Sequence, residues 1–159
     1  MNQNPAYTKD SLLDYQTARF QELTGEIVGC CHERTSYLSR RFCIPEAEVR
    51  CLMLFDGERY LTPKGIAQRL DVSKSRVTKL IEGLVRKKLI ERIADFKDGR
   101  VKLLSLTRDG ERKWEAIQAV SRELHQKVLL ELEPEHRKTV LSSMEVLRSS
   151  MEAAKKELM

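Results

Sequence analysis

Residues 62–107 carry the pattern that most constrains the fold of this 159-residue chain, because two helical stretches joined by a very short turn precede two strand-like stretches. Thr62 suits the N-cap of the first helix, and Pro63 suits its first position, where a backbone N–H has no helical partner. Asp71-Val72-Ser73 supplies the turn and places Ser73 at the next N-cap. Two helices so closely connected must cross at a steep angle.

The second helix of this unit has two opposite faces. Apolar residues recur at the spacing of one helix face and predict packing against a core: Val77, Leu80, Ile81, Leu84 and Val85. At about 100° per residue, the opposite face presents hydroxyl-bearing and charged side chains, with Ser75 and Lys79 among them. Taken alone, such a face would be an ordinary solvated helix surface.

After this helix the chain changes to a strand pattern. Residues 91–93 and 101–106 read as two strands around the turn at 95–100, which carries Lys97 and Arg100. A hairpin tip with these two cations has the charge and the reach to enter a minor groove. The order helix, turn, helix, hairpin is that of a winged helix-turn-helix, and it predicts binding to duplex DNA.

We expect the DNA contacts to come from the helix N-termini and from the hairpin. Hydroxyls and backbone N–H groups at a first helical turn can hold a phosphate, while Arg and Lys side chains reach guanine acceptors or neighbouring phosphates. The predicted DNA-binding residues are Thr62, Ser73, Lys74, Ser75, Arg76, Thr78, Lys79, Lys97 and Arg100.

Residues 61–110 resemble the DNA-binding core of the MarR family of bacterial regulators. The family's succession of Asp, a basic residue, Asp and Arg along the wing falls on Asp95, Lys97, Asp98 and Arg100. Leu106-Thr107 followed by Gly110 matches the family's exit from the wing. The family commonly has Arg where this chain has Lys97, and a lysine lacks the planar bidentate fork of a guanidinium group. The resemblance implies a homodimer with two recognition helices in successive major grooves, and repression relieved by a ligand or an oxidant.

Charge is unevenly distributed along the chain. Residues 62–112 hold 14 Lys and Arg against 7 Asp and Glu, whereas the whole chain has a net charge of +5, so the remainder carries −2. An excess of cations confined to the predicted DNA-binding part is what neutralisation of phosphates requires. It predicts a DNA affinity that falls steeply with salt.

The segments on both sides of this unit predict one-sided helices. An N-terminal stripe contains Phe20, Leu23, Ile27 and Cys30, and Pro45 begins a short helix that we expect beneath the DNA-binding helices. The C-terminal stripes are Trp114, Ile117, Val120, Leu124 and Val128, then Val140, Leu141, Met144, Leu147 and Met151. We expect the long helices to pair with those of a second subunit, the alternative being an intramolecular bundle in a monomer.

The predicted fold is therefore mainly α with a small β-hairpin wing. We expect an N-terminal dimerisation helix at 1–44, a winged helix-turn-helix DNA-binding domain at 45–110 and C-terminal dimerisation helices at 111–159. The expected partners are double-stranded DNA and a second copy of the chain, with a small-molecule effector as a further candidate and no cofactor. No segment approaches the roughly 18 apolar residues of a membrane span, and the N-terminus has no apolar signal core, so we expect a cytoplasmic protein.

Four cysteines leave three interpretations open: Cys30, Cys31, Cys43 and Cys51. They can fill gaps in apolar packing, as free cysteines often do. They can sense oxidants, if a thiolate near a cation or a helix end is oxidised and shifts the spacing of the DNA-binding units. They can hold a metal or cluster together with His32, although adjacent cysteines point about 100° apart on a helix and no CxxC pair occurs.

An enzyme is the competing class of protein, but the sequence holds no P-loop, no nucleophile elbow, no zinc-protease motif and no dinucleotide-binding glycine pattern. A non-specific architectural or single-strand-binding protein is the second alternative. Such proteins usually expose aromatic stacking platforms, whereas only 6% of these residues are aromatic and no Phe or Tyr falls on the predicted recognition face. We predict a non-enzymatic, sequence-specific transcriptional regulator of duplex DNA, most simply a repressor binding a palindromic operator.

Overall fold

The computed structural model describes residues 9–94 and 102–157. Within these ranges the chain forms six helices and one two-stranded sheet. In chain order the elements are α1 (Lys9–Phe42), α2 (Glu46–Met53), α3 (Pro63–Leu70), α4 (Lys74–Arg86), β1 (Ile90–Ala94), β2 (Lys102–Leu106), α5 (Arg108–Leu130) and α6 (Pro134–Glu157). The predicted fold class, mainly helical with a β-hairpin wing, is confirmed.

The ends of the two central helices are set by their local sequence. The Thr62 hydroxyl accepts a hydrogen bond from the Gly65 backbone N–H at 3.0 Å, and Pro63 occupies the first position of α3. Asp71 ends α3 in the left-handed conformation, with φ 53°. The Ser73 hydroxyl then accepts from the Arg76 backbone N–H at 3.4 Å and begins α4. Both predicted N-caps are therefore present.

The predicted apolar face of α4 is committed to the core. Val77, Leu80, Ile81 and Leu84 are buried. The short helix α2 lies against α4 and also contacts α1 and α3, as its predicted place beneath the DNA-binding helices requires. The core around these helices is completed by Val49, Leu52, Phe55, Leu61, Ile66, Leu70, Leu89, Ile90 and Leu104.

The hairpin is antiparallel and is joined to the start of α3. Its register runs from the pair Ile90 and Leu106 to the pair Ala94 and Lys102. Leu61, just before α3, exchanges two backbone hydrogen bonds with Leu104, at 2.9 and 2.8 Å. The base of the wing and the entry to α3 are thus held together. Residues 95–101 lie outside the described residues, and so do the predicted contacts at Lys97 and Arg100.

The chain divides into two compact units, one ending at Trp114 and the other beginning at Glu115. The first contains α1 to α4, the sheet and the start of α5. The second contains the rest of α5 and α6, and α6 buries no side chain in the single chain. The predicted three-part division at 1–44, 45–110 and 111–159 stays a prediction. Among the described helices, none is both long and apolar enough to cross a membrane.

The long helices leave much of their apolar surface uncovered. Phe20, Leu23 and Ile27, from the predicted N-terminal stripe, are all exposed. Ile117 differs from this expectation, because it is already fully buried in the single chain, whereas Val128 on the same predicted stripe is 65% exposed. The apolar stripe of α5 is therefore buried within the single chain at Ile117 and exposed at Val128. Its exposed later part can pack against a second molecule.

Candidate nucleic-acid interface

The outward face of α4 and its N-cap is exposed to solvent. The structure places six predicted DNA-binding residues together there: Ser73, Lys74, Ser75, Arg76, Thr78 and Lys79. Because the opposite face is packed against the core, the helix cannot turn these side chains inward without losing its buried contacts. Thr62 lies at the start of α3, half-buried, where its hydroxyl caps that helix.

The first turn of α4 is arranged to receive an anion. The Ser73 and Ser75 hydroxyl oxygens lie 3.1 Å apart, and the Thr78 hydroxyl donates to the Lys74 carbonyl at 3.0 Å. The backbone N–H groups of Lys74 and Ser75 have no acceptor within the helix, because the carbonyls four residues before them lie outside α4. These N–H groups, the helix dipole and the adjacent cations all favour a phosphate at this end of the helix.

The cations of this face lack the carboxylate partners that some arginines elsewhere in the described chain have. Arg19, Arg69 and Arg148 each bind a carboxylate, with N···O distances of 2.5, 2.6 and 2.9 Å. In contrast, Lys74, Arg76 and Lys79 form no ion pair with any residue in the ranges 9–94 and 102–157. Positive charge that is exposed and not compensated by any of the described residues is suited to neutralising phosphates.

Lys64 is a basic residue of this surface that the sequence interpretation missed. It lies in the first turn of α3 and is exposed. With Lys74 it borders a cavity of about 170 Å³ between the starts of α3 and α4, whose lining is Pro63, Lys64, Lys74, Val77 and Thr78. The sequence could have predicted this, because Lys64 directly follows the predicted N-cap Thr62 and Pro63. A lysine in this first helical turn can face outward beside the free backbone N–H groups.

The other end of α4 is held by a buried carboxylate on α2. Glu48 is only 6% exposed, and its Oε1 atom accepts a hydrogen bond from Lys87 Nζ at 2.7 Å. Its other oxygen, Oε2, is buried and has no hydrogen-bond partner in the described part of the chain. A Cβ atom at Gly83 would lie 2.6 Å from Oε1, so α4 accommodates Glu48 because residue 83 has no side chain.

The four cysteines occupy two kinds of environment. Cys30, Cys31 and Cys43 are exposed, whereas Cys51 is fully buried. Burial, reinforced by the nearby Glu48 carboxylate, raises the pKa of the Cys51 thiol to about 12. Because the thiolate is the reactive form of cysteine, the environment of Cys51 disfavours its predicted sensing role. Among the described residues, no three His, Cys, Asp or Glu side chains are grouped to hold a metal ion.

Solved structures similar to this chain include two of MepR and one of YusO. A single-residue mutant of MepR from S. aureus is 25% identical, with a TM-score of 0.71, over 83% of this chain and 98% of that one. YusO from Bacillus subtilis is 25% identical, with a TM-score of 0.63, over 89% and 98%. A complex of S. aureus MepR with DNA is 26% identical, with a TM-score of 0.60, over 82% and 98%. No curated protein sequence matches the chain significantly.

The fold is that of a winged helix-turn-helix protein. Two capped helices follow one another, the second has an outward cationic face, and an antiparallel hairpin comes after them. The sequence model of the MarR family matches residues 44–101, which include α2, α3, α4 and β1. Residues 44–101 are therefore identified with the MarR family of transcription regulators.

Proposed function

We propose that this chain represses transcription by binding an inverted-repeat operator in duplex DNA as a homodimer. The observation that carries the proposal is the outward face of α4, whose three cations are exposed and not paired within the described chain. MepR, a similar protein, has been solved in a complex with DNA, and this supports the same use of the fold here.

The proposed major-groove contacts come from the start of α4: Ser73, Lys74, Ser75, Arg76, Thr78 and Lys79. Arg76 and Lys79 are the candidates for base edges, because long cationic side chains reach the N7 and O6 acceptors of guanine. Thr62 has its oxygen engaged in the helix cap, and its hydroxyl proton is left to donate to a phosphate. Lys97 and Arg100 are proposed for the minor groove.

The proposal of a homodimer is supported by the uncovered apolar stripes. On α1, Phe20, Leu23 and Ile27 are 44%, 41% and 56% exposed, and they share one helix face. On α6, Leu141, Met144 and Met151 are also exposed. Apolar stripes of this extent normally meet another surface, and a twofold dimer would present two α4 helices about 34 Å apart, one turn of the duplex.

Selection of duplexes from a randomised library by the purified protein tests this proposal. Wild type should recover an inverted repeat with half-sites about 10 base pairs apart, centre to centre. The double variant R76A/K79A, altered only on the exposed face, should recover no common sequence while keeping the wild-type circular dichroism spectrum. Recovery of single half-sites would contradict the dimer, and wild-type binding without any sequence preference would favour an architectural role.

Release from DNA by a small ligand or by thiol oxidation is the regulatory part of the proposal. The exposure of Cys30, Cys31 and Cys43 favours a test of oxidation first. Peroxide should lower the operator affinity of wild type, and the triple variant C30S/C31S/C43S, which keeps the buried Cys51, should not respond. If both proteins bind equally before and after peroxide, the oxidation mechanism is wrong and a small ligand becomes the candidate signal.

A further inference from the structure

We propose that Glu48 is a positioning residue for DNA recognition, which holds α4 in its reading orientation and links that helix mechanically to α1. The inference rests on the proposed DNA binding. It adds a set of contacts through which a displacement of α1 is transmitted to the recognition helix α4. Among the described residues, Glu48 forms no hydrogen bond or ion pair with a predicted DNA-binding residue, so we expect any effect it has on DNA to act through the placement of α4.

The contacts of Glu48 with α4 come from two directions. Its carboxylate binds Lys87 at the end of α4 and at the same time occupies the space above Gly83, one turn earlier. A hydrogen bond at 2.7 Å and a close approach to the backbone together restrict both the rotation of α4 about its axis and its distance from α2. The DNA-facing side chains from Lys79 back to Lys74 lie about one to two and a half turns away on the same rigid helix, so a small rotation at Gly83 moves them all.

The contacts of α2 with α1 supply the other half of the link. The Ser36 hydroxyl on α1 donates to the Glu46 carboxylate at the start of α2. The Ser39 hydroxyl donates to the Ile44 carbonyl at 2.7 Å, and the Ile44 backbone N–H donates to the Ser39 carbonyl at 3.2 Å. The short joint between the two helices is thus tied on both sides, and a displacement of α1 is carried by α2 to Glu48.

A carboxylate is a poor choice for stability alone at this position. Oε2 of Glu48 is buried without a hydrogen-bond partner in the described part of the chain, and leaving a buried polar atom unsatisfied is unfavourable. An apolar side chain of similar volume often stabilises a protein more than a buried ion pair does. What the pair supplies instead is a directional contact, since a hydrogen bond to Lys87 specifies one geometry whereas apolar packing tolerates several.

Three variants and two matched controls test this inference on the duplex that the selection experiment yields. Glu48→Gln keeps the shape of the side chain and removes its charge, and Lys87→Met removes the partner. The control Glu58→Gln breaks an exposed ion pair of similar length, the 2.6 Å contact with Arg69. The control Lys88→Met removes a cation next to Lys87 that does not bind Glu48. The double variant E48Q/K87M measures whether the two residues act as a pair.

The measurement is the ratio of operator affinity to random-duplex affinity, at a temperature where circular dichroism shows every variant folded. Glu48→Gln and Lys87→Met should each lower this ratio by about tenfold, with less than additive effects in the double variant. Affinity for random duplex should stay within about twofold for Glu48→Gln, because the phosphate-binding cations are untouched. Neither control should change the ratio.

A merely structural role would lower the melting temperature without changing this ratio, and that result would overturn the inference. If Glu48→Gln does not fold, Lys87→Met decides, because the Lys87 side chain is 36% exposed and its replacement by methionine opens no cavity in the core. If wild type itself shows no preference for any duplex, the proposed function fails instead, and the two failures are thus distinguished.

Discussion

Gly110 lies directly against the backbone of Leu89, so that a Cβ atom at residue 110 would be 1.8 Å from the Leu89 carbonyl oxygen. The Thr107 hydroxyl accepts from the Gly110 backbone N–H at 3.0 Å, and the Thr107 backbone N–H donates to the same Leu89 carbonyl at 3.1 Å. The first turn of α5 is therefore joined to the residue that precedes β1. Only glycine permits this approach, because a Cβ atom at residue 110 would clash with the Leu89 backbone, which cannot move aside as a flexible side chain can.

Gly110→Ala should lower the free energy of unfolding by about 3 kcal/mol, at the upper end of the usual effect of overpacking. Urea unfolding followed by circular dichroism measures the loss. Gly25→Ala is the matched control, since nothing lies within 4 Å of a Cβ there, and it should stabilise α1 by up to about 1 kcal/mol. Equal stability of the two variants would show that the contact between Gly110 and Leu89 is not tight in solution.

Gly83→Ala should be less harmful, because the atom it meets belongs to the movable carboxylate of Glu48 rather than to backbone. We expect the free energy of unfolding to fall by about 1–2 kcal/mol, because the Glu48 carboxylate must move away from residue 83. In a Glu48→Ala background the obstacle is gone, and the same substitution should gain up to about 1 kcal/mol from helix propensity. A double-mutant cycle of unfolding free energies measures this reversal, and additive effects would contradict the close approach.

Lys79→Gln should reduce the dependence of operator affinity on salt. If Lys79 meets a phosphate, the slope of the logarithm of affinity against the logarithm of salt concentration should fall by about 1. Fluorescence anisotropy at several salt concentrations gives the slope. Lys138→Gln, which removes an exposed charge on α6, should leave the slope unchanged. An unaltered slope for Lys79→Gln would remove that residue from the phosphate contacts.

Cys51 should be unreactive in the folded protein. With its pKa raised to about 12, the thiol stays protonated at pH 8, and burial also denies reagents access to it. In the variant C30S/C31S/C43S, a thiol-reactive chromogenic disulfide should therefore report no fast reaction until the protein is unfolded. Rapid reaction of this variant under native conditions would show that the core around Cys51 opens readily.

The same pKa predicts how the stability varies in alkali. Because the folded state holds the Cys51 proton more tightly than the unfolded state does, this contribution to stability is complete below pH 9 and is lost as pH rises from 9 towards 12. The sign is thus a fall in stability with rising pH. Urea midpoints of C30S/C31S/C43S should show this fall, and Cys51→Ala in that background should make it shallower.

Leu23→Glu should weaken self-association if α1 lies in the dimer interface. Burying a carboxylate in an apolar contact is unfavourable, so the dissociation constant should rise by about 30-fold or more, as for a central interface residue. Sedimentation equilibrium measures the change. Ala18→Glu adds the same charge to an exposed residue on the opposite face of α1 and should leave the dimer intact. Equal effects of the two changes would place the interface elsewhere.

The helix-turn-helix could be predicted from sequence because its signals are local. The caps at Thr62 and Ser73 lie within three residues of the N–H groups that they satisfy, and Pro63 marks its own position in α3. The first strand was expected at 91–93 and extends one residue further in each direction, to Ile90 and Ala94. Strand ends depend on the pairing partner, which a single run of residues does not specify.

The role of Glu48 could not be predicted, because its partner lies 39 residues away in sequence. A carboxylate on a short helix is normally solvated, and nothing in the order of neighbouring residues distinguishes this one.

The apolar stripe on α5 shows a related limit of prediction from sequence. Ile117 and Val128 fit the same helical period, yet one is buried in the single chain and the other is exposed. Periodicity tells which face is apolar but not what covers it.

The pairing of Leu61 with Leu104 joins the entry of α3 to the second strand of the wing by two backbone hydrogen bonds. The hairpin base and the start of α3 must then move together, so the wing cannot bend independently at its root. In the proposed homodimer, an effector would move each of these joined pieces as a unit. The quantity that it would change is the separation of the two joined pieces, so a duplex with altered half-site spacing should mimic or cancel its effect.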